Sequence, residues 1–170
     1  MTEMATLQAF NSRDFRAALG SFATGVTVVT TQGPGHAFGL TANAFSSVSL
    51  DPPMVLVCVA NGTRGSESIQ ENGVFAVNIL GADQEPYSRY FASRDRPRGK
   101  EAFSQIPHRT EITGSPILEG VAGYLDCRLA TGHAAGDHVI FIGEVVALGF
   151  DPNTRPLVFH QGQYHYLGET

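Results

Sequence analysis

The chain has 170 residues, of which 42% are hydrophobic, and it carries a formal net charge of -5. This length is typical of one domain built around a single core. The acidic balance argues against nucleic-acid and anionic-membrane partners, which bind basic surfaces. The composition therefore predicts small molecules or other proteins as partners.

The sequence also lacks the features of membrane and secreted proteins. The longest uninterrupted apolar run, Met54 to Ala60, is far shorter than the roughly 20 residues of a membrane helix. The first residues, MTEMATLQAF, have no basic segment followed by an apolar one. Cys58 and Cys127 lie far apart without CxxC spacing, which indicates buried free thiols. A cytoplasmic protein is predicted.

The N-terminal part of the chain predicts one helix and two strands. Ser12 is placed to cap a helix. The apolar residues of that helix follow the i, i+3, i+4, i+7 spacing of one buried face: Phe15, Ala18, Leu19 and Phe22. The β-branched run 26–31 predicts a strand, which a Gly33-Pro34-Gly35 turn joins to a strand at 39–50 as a hairpin.

The strand at 39–50, GLTANAFSSVSL, mixes small polar side chains with apolar ones. Because successive side chains point to opposite faces, such a strand displays hydrogen-bonding groups on a partly apolar surface. This surface would suit a flat ligand rich in heteroatoms. From the residues alone, an ordinary strand whose Ser and Thr face water is the alternative.

The remaining elements are predicted in chain order from runs of apolar residues and from the breaks between them. They are a strand at 54–60 covered on both faces, a loop and short helix at 61–72 ended by Gly73, a buried strand at 74–80, a helix at 84–91, a charged break at 93–100, an irregular stretch at 106–120, long strands at 121–131 and 138–148 joined by GHAAGD, and a final strand pair at 157–160 and 164–167.

Seven or eight strands with two or three short helices, mostly joined as hairpins, favour an antiparallel barrel over alternating βαβ units. Periodicity by itself supports a closed or nearly closed antiparallel sheet. Residues 1–11 are predicted to form a flexible tail, and residues 12–170 a single domain.

Five segments of the chain resemble the short-chain flavin reductase family, the small reductase partners of two-component flavin monooxygenases. They are FRAALGSFATGVTVVTT near the N-terminus, GLTANAFSSVSLDPPMVLVCV from Gly39, GVFAVNIL at 73–80, the triplet Gly136-Asp137-His138, and PLVFHQGQYHYLG near the C-terminus. The resemblance covers roughly residues 13–168, and its motifs are specific as a set.

The resemblance implies a mostly β protein with a split β-barrel of Greek-key type and a few short flanking helices. It implies a homodimer with the flavin at the subunit interface. The activity implied is that of an NAD(P)H:flavin oxidoreductase, which reduces FMN or FAD with NADH, or with NADPH, and releases the reduced flavin to a separate monooxygenase. In such a reaction the two cofactors carry the chemistry, and the protein supplies geometry.

Cofactor-binding residues are implied for the flavin ring and its phosphate. Those that match the ring-binding stretch are Thr41, Asn43, Ser46, Ser47 and Val48, with Cys58 on the following strand. For the phosphate, the segment before the helix at 67–72 offers a helix N-terminus, hydroxyls and a guanidinium, from Asn61, Thr63, Arg64 and Ser66. An ordinary loop with Ser66 as helix cap is the alternative there, and Gly65 stands where the family pattern has a second hydroxyl.

A charged run and a C-terminal motif are further candidates for ligand contact. The run Arg89, Arg94, Arg96, Arg98 and Lys100 could hold the nucleotide end of a ligand, and solvated surface is the alternative. Arg89 and Phe91 lie in a segment that the family uses near the flavin. Tyr164 matches the C-terminal family motif, where ligand contact and core or dimer packing remain equal alternatives.

The triplet Gly136-Asp137-His138 supplies the predicted catalytic residues. Gly136 permits close approach of the backbone, Asp137 could orient the imidazole, and His138 could contact the nicotinamide or the flavin. The resemblance implies a role in NAD(P)H binding without an obligatory proton transfer. An idle, exposed turn histidine is the alternative from the residues alone.

Several kinds of site have no support. There is no GxGxxG after a strand and no GxxxxGK[ST]. His133 and His138, like His160 and His165, are five positions apart, a spacing that places side chains on opposite faces of one strand. No metal site is predicted.

Two other functions remain as alternatives to the reductase. One is a self-contained flavin-dependent oxidase or oxygenase, which would need a substrate-binding base and tightly held flavin. The other is a flavin-binding protein without catalysis, because one scaffold hosts many functions.

Overall fold

The computed structural model describes residues 10–34 and 36–168, so residues 1–9 of the predicted tail and Gly35 of the predicted turn lie outside it. The helices are α1 (Ser12–Gly20), α2 (Arg64–Asn72) and α3 (Glu85–Ala92), with short 3-10 helices at Ala82–Gln84 and Gly99–Phe103. The strands are β1 (Thr24–Gly25), β2 (Thr27–Thr31), β3 (Phe38–Ala42), β4 (Phe45–Leu50), β5 (Pro53–Ala60), β6 (Val74–Ile79), β7 (His108–Thr110), β8 (Pro116–Leu118), β9 (Gly123–Ala135), β10 (His138–Phe150), β11 (Leu157–His160) and β12 (Gln163–Tyr166).

A seven-stranded antiparallel sheet with the order β3-β2-β6-β9-β10-β5-β4 forms the centre of the molecule. Its two edge strands, β3 and β4, are consecutive in the chain and separated by Asn43 and Ala44. The amide of Cys58 on β5 donates a hydrogen bond to the Ala44 carbonyl at 3.0 Å. The two edges therefore meet and the sheet curls toward a barrel, which confirms the predicted mostly β fold with short flanking helices.

The predicted single strand at 39–50 is in fact two strands. β3 pairs with β2, whereas β4 pairs with β5 on the opposite edge of the sheet. One straight strand could not reach both edges, so the chain breaks at Asn43 and Ala44. The break exposes these two residues beside the outer face of β5.

The helix α1 forms where it was predicted, but the prediction that its apolar face is buried is wrong. Asn11 rather than Ser12 is its N-cap, and the Asn11 side chain accepts hydrogen bonds from the amides of Arg13 and Asp14 at 2.9 Å. Phe15, Leu19 and Phe22 remain 52%, 58% and 77% exposed. Their spacing does align them, yet no other described part of the chain covers them.

The strand β5 is covered on one face only, contrary to the prediction of two covered faces. Val55, Val57 and Val59 pack into the barrel core with Phe75, Val77 and Phe141. Met54, Leu56 and Cys58 alternate with them and are half-buried. Leu56 and Cys58 form the floor of a cleft, which explains why the sequence shows no polar alternation there.

The stretch 106–120, predicted to be irregular, contains the short pair β7 and β8 and is tied to the barrel by a buried amide. The Asn78 side chain donates to the Val28 carbonyl at 3.1 Å and to Thr30 Oγ1 at 3.2 Å. Its Oδ1 accepts from the Leu118 amide at 2.8 Å. Because a buried amide is costly unless its hydrogen bonds are made, Asn78 joins β2, β6 and β8 as one unit.

Two turn predictions are confirmed in outline. The helix α2 ends at Gly73, which has a φ of 66° and donates its amide hydrogen to the Ile69 carbonyl at 3.0 Å. The predicted turn GHAAGD is shorter than expected, because β9 and β10 run on until only Gly136 and Asp137 remain between them.

No described helix is long and apolar enough to cross a membrane.

Candidate functional site

A cleft of about 870 Å³ opens on the outer face of β5. Leu56 and Cys58 form its floor, and the break between β3 and β4 forms one wall through residues 43–46. The opposite wall comes from α1, β1 and the β11–β12 turn at Gln161 and Gly162. Ligand sites are typically of this size and combine an apolar lining with a few polar groups.

The register of the sheet places His138 on the same face as this floor. Cys58 lies opposite Ile140 on β10, and Ala60 lies opposite His138. Directly opposed residues of an antiparallel pair point to the same side of the sheet. The imidazole of His138 therefore lies on the outer face of the sheet, two cross-strand pairs beyond Cys58.

The predicted contact within the triplet Gly136-Asp137-His138 is present. His138 Nδ1 lies 2.7 Å from Asp137 Oδ1. This hydrogen bond, followed by the charges of His138 and Arg16, holds the pKa of the exposed Asp137 carboxyl below its usual value. The contact occupies Nδ1, so a ligand at the imidazole would meet Nε2.

The predicted phosphate segment lies beside this triplet. The Asn61 amide donates to the Asp137 carbonyl oxygen at 2.9 Å. Thr63, rather than Ser66, is the N-cap of α2, and the two residues form a capping box in which each side chain accepts from the other's amide. Their hydroxyls are thus engaged in the cap, and Ser66 is buried.

Gly65 has a packing reason to be glycine. A Cβ atom there would lie 3.0 Å from Leu40 Cδ2 and 3.2 Å from Phe38 Cε1. A second hydroxyl-bearing residue at this position would press against β3. The departure from the family pattern therefore accompanies close packing of the α2 N-terminus on the barrel.

Three more predicted residues meet in a cluster beside the cleft. Thr41 Oγ1 donates to the Ser88 carbonyl at 2.6 Å, and the hydroxyl oxygens of Ser88 and Tyr164 are 2.7 Å apart. The Arg89 guanidinium lies 4.8 Å from the centre of the Tyr164 ring. Tyr164 also packs on Phe159, a cleft-lining residue, with ring centres 5.2 Å apart.

Comparison with known proteins places these features in a family. The family model described as "Flavin reductase like domain" matches residues 19–168. The chain therefore belongs to the flavin reductase-like family. The match includes the triplet at 136–138, the C-terminal hairpin and every cleft-lining residue except Arg16.

Individual flavin reductase-like proteins resemble the chain over most of their length. The reductase subunit HsaB of a flavin-dependent monooxygenase from Rhodococcus jostii is 38% identical over 157 residues, which span 92% of this chain and 78% of HsaB. An NADH-dependent flavin reductase from a Rhodococcus species is 41% identical over 155 residues, covering 89% and 84%. The structure of the NADH:FAD oxidoreductase SgcE6 from Streptomyces globisporus with NAD and FAD fragments has a TM-score of 0.86 at 34% identity, covering 96% and 98%.

The flavin reductase-like fold brings some predicted residues together and separates others. Asn43, Ser46 and Cys58 line the cleft. Ser47 and Val48 follow on β4 but are not among the lining residues. Phe91 is buried in the core, packed on Phe103 with ring centres 5.5 Å apart, so its side chain is not open to a ligand.

The charged run is divided by the fold. Arg89 is largely exposed beside Tyr164 and pairs with Glu85 at 2.6 Å. Arg96 instead donates to the Gly39 carbonyl, and its guanidinium lies over the Phe38 ring at 5.1 Å. Burial lowers the pKa of Arg96. Its role in the structure is to hold the loop after α3 against β3.

The cleft wall formed by α1, β1 and the β11–β12 turn was not predicted from the sequence. It includes Arg16, Thr24, Phe159, His160 and Gln161. His160 and His165 are also nearer than their spacing suggested, with ring centres 5.8 Å apart, because they lie on adjacent strands of a hairpin. Among the described residues, no group of three metal-ligating side chains is assembled.

Proposed function

We propose that the protein is an NAD(P)H:flavin oxidoreductase that reduces FMN or FAD and supplies the reduced flavin to a separate monooxygenase component. The observation that carries this proposal is the cleft over Leu56 and Cys58 in a chain of the flavin reductase-like family, with His138 on the same face of the sheet. The relatives named as NADH-dependent flavin reductases and as monooxygenase reductase subunits support the substrates and the partner.

The cleft fits a flavin ring by shape and chemistry. Its floor is apolar, and its wall at residues 43–46 offers an amide, a hydroxyl and main-chain groups along one side. A bound flavin would accept the hydride that the reduced nicotinamide supplies. The residues of this chain then hold the ring between wall and floor, and His138 Nε2 orients the nicotinamide at the open face.

The flavin phosphate is proposed to lie at the N-terminus of α2. Arg64 is the exposed side chain there, and the helix end supplies positive partial charge. Because the Thr63 and Ser66 hydroxyls already serve the helix cap, main-chain amides and Arg64 would hold the phosphate. A small set of donors suits a flavin that must leave after reduction.

The test is NADH oxidation by flavin-free protein, measured with no flavin, with FMN and with FAD. We expect oxidation only with added flavin, at a rate that follows the flavin concentration, and the better flavin is thereby identified. No oxidation with NADH or NADPH at saturating FMN and FAD would contradict the reductase. A flavin that cannot be removed would favour a self-contained oxidase.

A homodimer is the proposed assembly, with α1 at the interface. Phe15, Leu19 and Phe22 form an exposed apolar face, and Leu19 and Phe22 also line the cleft. A second copy packed on α1 would remove this face from water and close the cleft from outside, as the resemblance to family homodimers implies. A cytoplasmic location stays a prediction.

We expect Phe15→Glu to convert the dimer to a monomer, because a buried charge in an apolar interface is strongly disfavoured. The measurement is light scattering on a size-exclusion column at several protein concentrations. Arg13→Glu, on the same helix but without a buried apolar side chain to lose, is the matched control and should stay dimeric. A wild-type protein that is monomeric at micromolar concentration would overturn the proposed assembly.

A further inference from the structure

The described part of the cleft lining carries one permanent positive charge, that of Arg16 on α1. Among the described residues that line it, Arg16 is the only Arg or Lys, and none is Asp or Glu. His160 is the other basic side chain of the lining. A site of this composition favours an anionic ligand group on the α1 side of the cleft.

The position of Arg16 is fixed by the docking of its helix. The Gln161 amide donates to the Gly20 carbonyl at 3.0 Å, which ties the end of α1 to the β11–β12 turn. Arg16 lies one helical turn before Gly20, on the same side of the helix. The charge of Arg16 also helps to lower the pKa of the Asp137 carboxyl, in the turn that precedes His138.

The same wall has a hydroxyl without a partner. Thr24 lines the cleft, and its Oγ1 is buried with no hydrogen-bond partner in the described part of the chain. An unsatisfied buried hydroxyl is unfavourable and calls for an explanation. Rotation about its χ1 bond would offer this hydroxyl to a ligand held on the α1 side.

The α2 N-terminus and Arg16 are two separate places at which an anionic group could be held. The helix α2 begins at Arg64, just beyond the end of β5 at Ala60, and none of its residues lines the cleft. Arg16 instead lines the cleft over Leu56 and Cys58, on the outer face. A reaction between two phosphate-bearing substrates needs two anion sites, and the fold offers two that are separate.

We propose that Arg16 binds a phosphate group of the nicotinamide nucleotide, while the flavin is held from the opposite wall and the α2 N-terminus. The proposal rests on the flavin reductase function of this cleft. A guanidinium is suited to this contact because it offers several fixed donors to phosphate oxygens. Arg16 thus sets the affinity for the hydride donor without touching the reacting atoms.

The test is steady-state kinetics of Arg16→Ala with NADH and FMN varied separately. We expect the KM for NADH to rise about tenfold, the effect of losing one charge-assisted hydrogen bond, with kcat and the KM for FMN nearly unchanged. Arg16→Lys should recover part of the loss. Arg13→Ala, an exposed arginine of the same helix outside the cleft lining, should leave both KM values unchanged.

Riboflavin has no phosphate, so a comparison with FMN shows whether Arg16 binds the flavin phosphate or a phosphate of the nicotinamide nucleotide. If Arg16→Ala raises the KM for FMN but not for riboflavin, and leaves that for NADH unchanged, Arg16 holds the flavin phosphate and the proposal is overturned. An unchanged KM for both substrates overturns it as well. Failure of the wild type to oxidise NADH would contradict the reductase function itself, a result distinct from either.

Discussion

His138→Ala is expected to lower kcat/KM for NADH by about 10- to 100-fold, a loss of about 1.4 to 2.8 kcal/mol of transition-state stabilisation. The reason is geometric: the sheet register puts His138 on the same face as the cleft floor, and Asp137 occupies Nδ1, so Nε2 is the ring nitrogen that a ligand would meet. Because no proton transfer from the imidazole is required, most of the loss should appear in KM. The measurement is NADH oxidation at saturating FMN.

His36→Ala is the matched control for this variant. His36 is an exposed histidine near the end of α2, where the Asn72 side chain bonds its main-chain carbonyl at 3.1 Å rather than its ring. Its replacement should leave the kinetics unchanged. A His138→Ala enzyme with wild-type kcat/KM for NADH would remove His138 from the site.

Asp137 is expected to keep its carboxylate contact with His138 well below neutral pH. Its folded-state pKa is lowered, so the carboxylate contact is present above the usual aspartate pKa and is lost as pH falls through the lowered value. The ratio of kcat/KM between the wild type and Asp137→Asn should therefore stay constant from about pH 8 to 9, where the carboxylate is ionised and a histidine of ordinary pKa is neutral. A ratio that changes within this window would contradict the assignment.

Asn78→Ala is expected to lower the free energy of unfolding by about 3 to 5 kcal/mol, the largest stability effect that we predict. The substitution removes the donors to Val28 and Thr30 and leaves the buried Leu118 amide without its acceptor. It also leaves a small cavity under β8. For a chain of this size the midpoint of thermal unfolding should fall by about 10 °C.

Urea denaturation followed by circular dichroism measures this change. Asn153→Ala, an exposed asparagine in the loop after β10, is the control and should change stability by less than about 0.5 kcal/mol. Equal stabilities of the two variants would show that β8 is not held through Asn78.

The fold could be predicted from the sequence wherever the residues of one helix, strand or turn favour that structure by themselves. The β-branched run of β2, the long strands β9 and β10, and the Gly73 cap of α2 all follow from local preferences. The break at Asn43 and Ala44 could not, because it depends on the chain changing from one sheet edge to the other. The strands β1, β7 and β8 are too short to show a period.

In the candidate site, too, local motifs could be predicted from the sequence, but the contacts that depend on the fold could not. The wall at residues 43–46 and the triplet ending in His138 carry recognisable motifs, but the cross-strand register that relates Cys58, Ile140 and His138 does not. Arg16 looks like any exposed residue of an amphipathic helix, and only the docking of Gly20 on Gln161 brings it to the cleft. Phe91 lies in the core, which the sequence could not show because a core aromatic and a ligand-binding aromatic look alike in sequence.

Alkylation of the cysteines tests most directly whether the flavin is held in this cleft. Cys58 lines the cleft, whereas Cys127 is buried and its pKa is raised to about 12, so Cys127 serves as an internal control. With iodoacetamide and peptide mass spectrometry, Cys58 should be labelled and Cys127 should not. Saturating FMN should fill most of the clefts and leave few Cys58 thiols accessible to iodoacetamide. The labelling of Cys58 should therefore slow by at least about tenfold. A labelling rate of Cys58 that FMN does not change, at concentrations that support NADH oxidation, would place the flavin elsewhere and contradict the proposed flavin site.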